Sequence, residues 1–116
     1  MSSHKKDDLV YLGHMLDMSR KAVAILRGRD RRAYDADETL RLALAHLIQV
    51  IGEAARRVSA ECRAMHPTIP WPDIVGMRHK IVHDYMDVDS DILWSVVSND
   101  LPALIRDLEA NVSRDP

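Results

Sequence analysis

The chain has 116 residues, enough for one compact domain and too few for two. Its 47% apolar content excludes a disordered chain, its single cysteine excludes an internal disulfide, and no apolar run reaches the roughly 20 residues that cross a bilayer. The net charge of −2 conceals an asymmetry, because residues 1–63 carry 12 Lys/Arg against 9 Asp/Glu, whereas residues 64–116 carry 4 against 9.

Phe is absent, so the core must be mainly aliphatic. A chain this short buries only about two-thirds of its unfolded surface, which favours self-association of any apolar face left over. One domain over 1–116 is expected, with 1–6 and 112–116 as frayed tails. The polar N-terminus has no apolar stretch of a secretory signal, and the cysteine usage suits a reducing compartment, so the expected location is cytoplasmic.

The first predicted helix spans about Asp7 to Arg27. Leu9, Leu12, Leu16, Val23 and Leu26 form one apolar stripe, and Met15, Met18, Ala22 and Ile25 form a second beside it. Such a helix is expected to touch more than one neighbour. The basic stretch Arg27-Gly-Arg-Asp-Arg-Arg32 that follows reads equally well as a solvated loop or as a phosphate-contacting patch.

Asp35 or Asp37 can cap the second helix. Leu40, Leu44, Leu47, Ile51, Ala54, Val58, Cys62 and Met65 then recur at helical spacing, predicting one long helix that His66-Pro67 ends. His46 is expected to be partly buried. Gly52 costs about 1 kcal/mol inside a helix relative to alanine, so a close helix crossing is expected there. Glu53 would then support the site by hydrogen bonding to the third helix or to Arg78.

Proline at Pro70 and Pro72 enforces an extended connector before a third helix from about Trp71 to Asp84. Asp89 is positioned to cap the last helix, whose buried side runs from Ile92 to Leu108. Pro102 is expected to kink that helix or to split it at Asn99-Asp100, with Asp100 capping the second piece. No strand is predicted. The fold class is all-α, a four-helix up-and-down bundle with a long second helix and a kinked or split last one.

Arg78, His83 and Tyr85 stand in an R-x4-H-x-Y pattern. At about 100° per residue, Arg78 and His83 lie about 140° apart, so the helix must be near its end for both to reach one point. Arginine binds a phosphate through a fixed fork of donors, and histidine moves a proton near neutral pH. Together they suit cleavage of RNA by its own 2′-hydroxyl, which would exclude DNA as substrate. One histidine cannot easily serve both faces of an in-line reaction, whereas two copies across a dimer axis could. The bland alternative is that His83 satisfies a core hydrogen bond and Arg78 pairs with Asp73 or another carboxylate. His79 and His83, four apart, could also share a metal, but Lys80 lies between them and no third ligand is evident.

The segment Trp71-Pro-Asp-Ile-Val-Gly-Met-Arg-His-Lys-Ile-Val-His-Asp-Tyr85, with Met86-Asp-Val-Asp89 after it, resembles the signature region of HepT-like proteins in the HEPN superfamily. Ile51-Gly-Glu-Ala-Ala-Arg-Arg-Val58 and Trp94-Ser-Val-Val-Ser-Asn-Asp-Leu-Pro102 extend the similarity to roughly residues 7–110. The resemblance implies a helical homodimer whose two motifs face each other in a metal-independent ribonuclease site without a cofactor. By position, Arg78 and His83 match the catalytic pair. Tyr85 matches the tyrosine to which a partner minimal nucleotidyltransferase antitoxin adds AMP in some members of these toxin–antitoxin pairs. His79 stands where a polar residue such as Asn is common in the family, and could hold phosphate, orient Arg78 or tune His83. Lys80 is a further candidate for RNA phosphate. Against this stands a reading of a different class, a non-catalytic module that binds a nucleotide or partner on the same surface. That reading would tolerate Arg78 and His83 both sequestered in salt bridges, and catalysis would not.

Overall fold

The computed structural model describes the backbone of residues 2–84 and 87–112, so Tyr85 and Met86 lie outside the described residues. It is all-α apart from one short ribbon. Helix α1 spans Ser2–Leu26, beginning within the segment expected to fray. Both of its stripes find neighbours, as it packs between α3 (Glu38–Arg57) and the C-terminal helix α8 (Leu101–Val112). Leu12, Met15, Leu16, Ala22 and Leu26 are buried, whereas Leu9 at the first stripe's N-terminal end is exposed. Gly28, with φ of 81°, closes α1 in a left-handed conformation that glycine adopts without steric cost.

The basic stretch is partly absorbed by structure. Asp30 accepts from Ala33 N at 2.8 Å and starts a short helix α2 (Arg31–Asp35) that the periodicity did not predict. Arg29 pairs with Asp37, and Arg31 with Asp35 and Asp91, leaving Arg27 and Arg32 without an ion pair among the described residues. Within α2, Tyr34 is fully buried and its hydroxyl donates to the Ser90 carbonyl at 2.7 Å. Its ring meets Trp94 edge-on at 5.0 Å, and the Arg31 guanidinium lies over both rings. Burial raises the Tyr34 phenol to about 12.

Asp37 caps α3, which buries Leu40, Leu44, Leu47, Ile48 and Ile51. His46 is exposed, contrary to expectation, because two residues of helix turn it about 200° from the buried Leu44, onto the solvent face. The long helix is also shorter than predicted. It stops at Arg57, Val58 turns extended, and α4 (Ala60–Met65) begins again behind a Ser59 cap. Periodicity continues across the break, so the cause lies in long-range contacts. Asp8, 7% exposed, accepts from Ser59 N at 2.8 Å and from Ser59 Oγ at 2.7 Å. Arg63 donates to the carbonyls of Ala55, Arg56 and Val58, satisfying the C-terminal groups of α3. Cys62 is only half-buried there. Asp8→Ala would remove the acceptor of two donors at a half-buried junction. We expect it to destabilise the fold by about 2–4 kcal/mol, read as a lower denaturant midpoint in urea with unchanged slope.

The fourth side of the bundle is broken twice. Helices α5 (Trp71–Val75) and α6 (Met77–Ile81) meet at Gly76 and pack on α3. The expected close crossing is present at Gly52, where an added Cβ would lie 3.4 Å from the Ile74 carbonyl oxygen and 3.5 Å from that of Val75. Helix α6 ends at Ile81, three residues earlier than predicted. Strand β1 (Val82–Asp84) then pairs antiparallel with β2 (Asp87–Val88), a ribbon that had not been expected. Two β-branched valines, Val82 and Val88, face each other in it and pack on the core.

Helix α7 (Ser90–Ser95) leads through a π-helical turn at Val96–Asp100 directly into α8. The backbone of Leu101 donates to Val96, five residues back. Pro102 has no N–H to give and its ring crowds the preceding turn, so the widened turn absorbs it. The helix is therefore neither cut nor capped at Asp100. Val96, Val97 and Leu101 stay buried through it. Among the described residues, no helix is long and apolar enough to cross a membrane.

Candidate active site

Helix α6 places Arg78 and His79 on its side toward α3. With Gln49, Gly52, Glu53, Arg56 and Val75 they line a shallow cleft of about 190 Å³. Its depth at Gly52 exists because no side chain fills the helix crossing. Arg78 is exposed and its side chain makes no ion pair or hydrogen bond among the described residues, so the alternative of an Asp73 pair is not realised. Glu53 does share this cleft, but its carboxylate accepts from Arg56 Nη1 at 3.2 Å and makes no bond to Arg78 or to α6. Both partners of that pair are at least half exposed, so its contribution to stability is small. The cleft holds two arginines and a histidine against one carboxylate, a balance that suits an anion.

Arg56 was not recognised as a site residue from sequence. Its signal was available, since Glu53 and Arg56 lie three apart and share one helical face.

Lys80 is not part of this cleft. Two residues of helix turn it about 200° away from Arg78. It lines a separate groove of about 210 Å³, together with Asp73, Asp100 and Asp107. Three carboxylates share this groove with it, an environment that disfavours a phosphate.

His83 also lies outside the residues lining the Arg78 cleft. The early end of α6 puts it on β1, where Val82 turns inward and the next side chain turns out. Its side chain is 55% exposed and its Nε2 lies 3.3 Å from Asp89 Oδ2. The proposed i, i+4 metal pairing of His79 and His83 assumed one continuous helical face, and the chain leaves the helix between them. No group of three or more potential ligands converges among the described residues.

Asp89 does more than the expected capping. Its Oδ1 accepts from Ile92 N at 3.0 Å, and its own N–H donates to the Ile81 carbonyl at 2.6 Å. The Ile92 N–H holds this carboxyl below its ordinary range against the opposing effect of desolvation, with a lesser contribution from His83. It therefore stays ionised at neutral pH. Tyr85, the third motif residue, lies outside the described residues.

Comparison with known proteins finds relatives named as ribonucleases. A protein named "Putative RNase" from Methanocaldococcus jannaschii is 27% identical over 105 residues, covering 90% of this chain and 96% of the relative. Another with the same designation from Caldanaerobacter subterraneus subsp. tengcongensis is 28% identical, covering 90% and 94%. A "Probable ribonuclease HepT" from Thermococcus cleftensis is 35% identical over 68 residues, 59% of this chain and 62% of the relative. No solved structure matches. The model of the Ribonuclease HepT-like family matches residues 15–110, which include the cleft, the motif and most of the last helix, and the chain belongs to that family.

Proposed function

We propose that the protein is a metal-independent endoribonuclease whose working site is assembled from two copies of the chain. The observation that carries this reading is the accessibility of both motif side chains. Arg78 is exposed and unpaired among the described residues, and His83 is more than half exposed. Neither is consumed by the core, as a purely structural role would have it.

The 2′-oxygen attacks the adjacent phosphorus while the bond from phosphorus to the 5′-oxygen breaks. His83 of one copy takes the 2′-hydroxyl proton, and His83 of the other protonates the departing 5′-oxygen. Arg78 binds the non-bridging oxygens, where negative charge grows in the transition state. The products are a 2′,3′-cyclic phosphate and a 5′-hydroxyl. Among the described residues, the cleft that Arg78 lines does not include His83, and the two-copy site rests on the need for both an acid and a base in the in-line reaction.

From the resemblance of the motif we infer further a role as the toxin of a toxin–antitoxin pair, with a nucleotidyltransferase antitoxin that adds AMP to Tyr85. A phosphate-bearing adduct two residues from His83 would place negative charge and bulk where RNA phosphate must enter.

The test is incubation of end-labelled RNAs of varied sequence with the unmodified protein in EDTA, alongside DNA of the same sequences. Cleavage restricted to RNA and yielding cyclic-phosphate ends is the expected result. Intact RNA throughout would replace this reading with a non-catalytic binding module.

A further inference from the structure

The His83–Asp89 contact assigns chemistry to individual atoms of the ring. Asp89 is held at three points. Its N–H bonds the Ile81 carbonyl at the end of α6, Oδ1 receives the Ile92 N–H at the start of α7, and Oδ2 faces His83 Nε2 at 3.3 Å. The carboxylate thus joins the two helices that flank the ribbon and cannot turn without breaking a helix cap. Arg78, His79 and Lys80 on α6, Asp87 on β2 and Asp91 on α7 are the other charged or titratable side chains described on the adjoining elements. None of them is hydrogen bonded to the His83 ring among the described residues.

An ionised carboxylate only accepts hydrogen bonds. The ring nitrogen facing it must therefore carry the proton when the imidazole is neutral, which leaves the other nitrogen with a free lone pair. We propose that Asp89 is the positioning residue of His83, holding its Nε2–H tautomer so that Nδ1 is the atom that accepts and returns the proton. The catalytic consequence rests on the ribonuclease reading; the tautomer itself does not. During cleavage, Nδ1 takes the 2′-hydroxyl proton and the resulting imidazolium faces a fixed negative charge. In the second copy, Nδ1–H of the imidazolium gives its proton to the 5′-oxygen.

The helix cap makes a clean test available. Asn caps a helix as well as Asp does, so Asp89→Asn keeps its Oδ1 on the Ile92 N–H. Its amide NH2 then turns toward His83 and offers a donor where the wild type offers an acceptor, favouring the Nδ1–H tautomer. Asp89→Ser also retains a capping oxygen but is too short to reach the ring.

The measurement is a two-bond ¹H–¹⁵N spectrum of histidine-labelled protein at a pH where the His83 ring is neutral. Wild type is expected to show a protonated Nε2 and an unprotonated Nδ1, and Asp89→Asn the exchanged pattern. An identical pattern in both overturns the proposal, whether or not the protein cleaves RNA. A wild type inactive on RNA would sink the ribonuclease reading while the nitrogen shifts still decide this one. Where cleavage is present, both variants are expected to lose on the order of 10²- to 10⁴-fold in rate, with thermal midpoints close to wild type. Wild-type cleavage by Asp89→Ser would reduce Asp89 to a cap and overturn its positioning role.

Discussion

His83→Ala is expected to reduce RNA cleavage by about 10²- to 10⁴-fold, and Arg78→Ala by about 10²- to 10³-fold, with the fold intact. Both side chains are exposed, so neither truncation opens a cavity or strands a buried partner. An unchanged circular dichroism spectrum and melting temperature would confine the loss to chemistry. The same variants decide how the site is assembled. If His83 of each copy serves one face of the phosphodiester, a dimer with one His83→Ala subunit is inactive. Exchange of wild type with an equal amount of variant then leaves about a quarter of the activity, because only doubly wild-type dimers work. Independent sites would instead leave about half. A linear decline with variant fraction would rule out the shared site while retaining the ribonuclease.

The largest effect on stability is expected at Tyr34. Tyr34→Ala removes a fully buried ring that packs on Trp94, and strips the Ser90 carbonyl of its hydroxyl donor. Truncating a buried aromatic costs about 3–5 kcal/mol, a large share of the 5–15 kcal/mol that typically holds a domain together. The Arg31 guanidinium over the same rings would lose its seat as well, although its pairs with Asp35 and Asp91 remain. Tyr34→Phe keeps the ring and is expected to cost about 1 kcal/mol, the net value of one hydrogen bond. Chemical denaturation of the two variants separates packing from the hydroxyl. Equal losses in both would place the whole effect in the hydrogen bond and contradict the packing argument.

Several features were readable from residue order alone because their causes are local. Heptad-like recurrence placed Leu44, Leu47, Ile51 and Ala54 inside, and all are buried. Asp37 and Asp89 cap helices where expected, since a cap needs only an oxygen three residues before an N–H. Gly52 announced a close crossing by its cost in a helix. The motif residues Arg78, His79 and His83 were singled out from residue type, spacing and family resemblance.

What tertiary structure decided came from partners far apart in the chain. The break at Val58–Ser59 depends on Asp8, 51 residues away, and the burial of Tyr34 on Ser90, 56 residues away. Neither pairing leaves a trace in the periodicity around either residue. Lys80 looked like a companion of Arg78 by proximity, yet the helix turned it toward Asp73, Asp100 and Asp107. Arg56 joined the cleft because α3 crosses below α6. Asp89 reached His83 because α6 ended early and the ribbon folded back. The sequence by itself determined which residues prefer the interior, where helices can start, and which side chains can do chemistry, because those preferences are set within a few residues. Which of those side chains meet was decided by packing, because contact across helices depends on where each helix stops, and long-range hydrogen bonds set those stops.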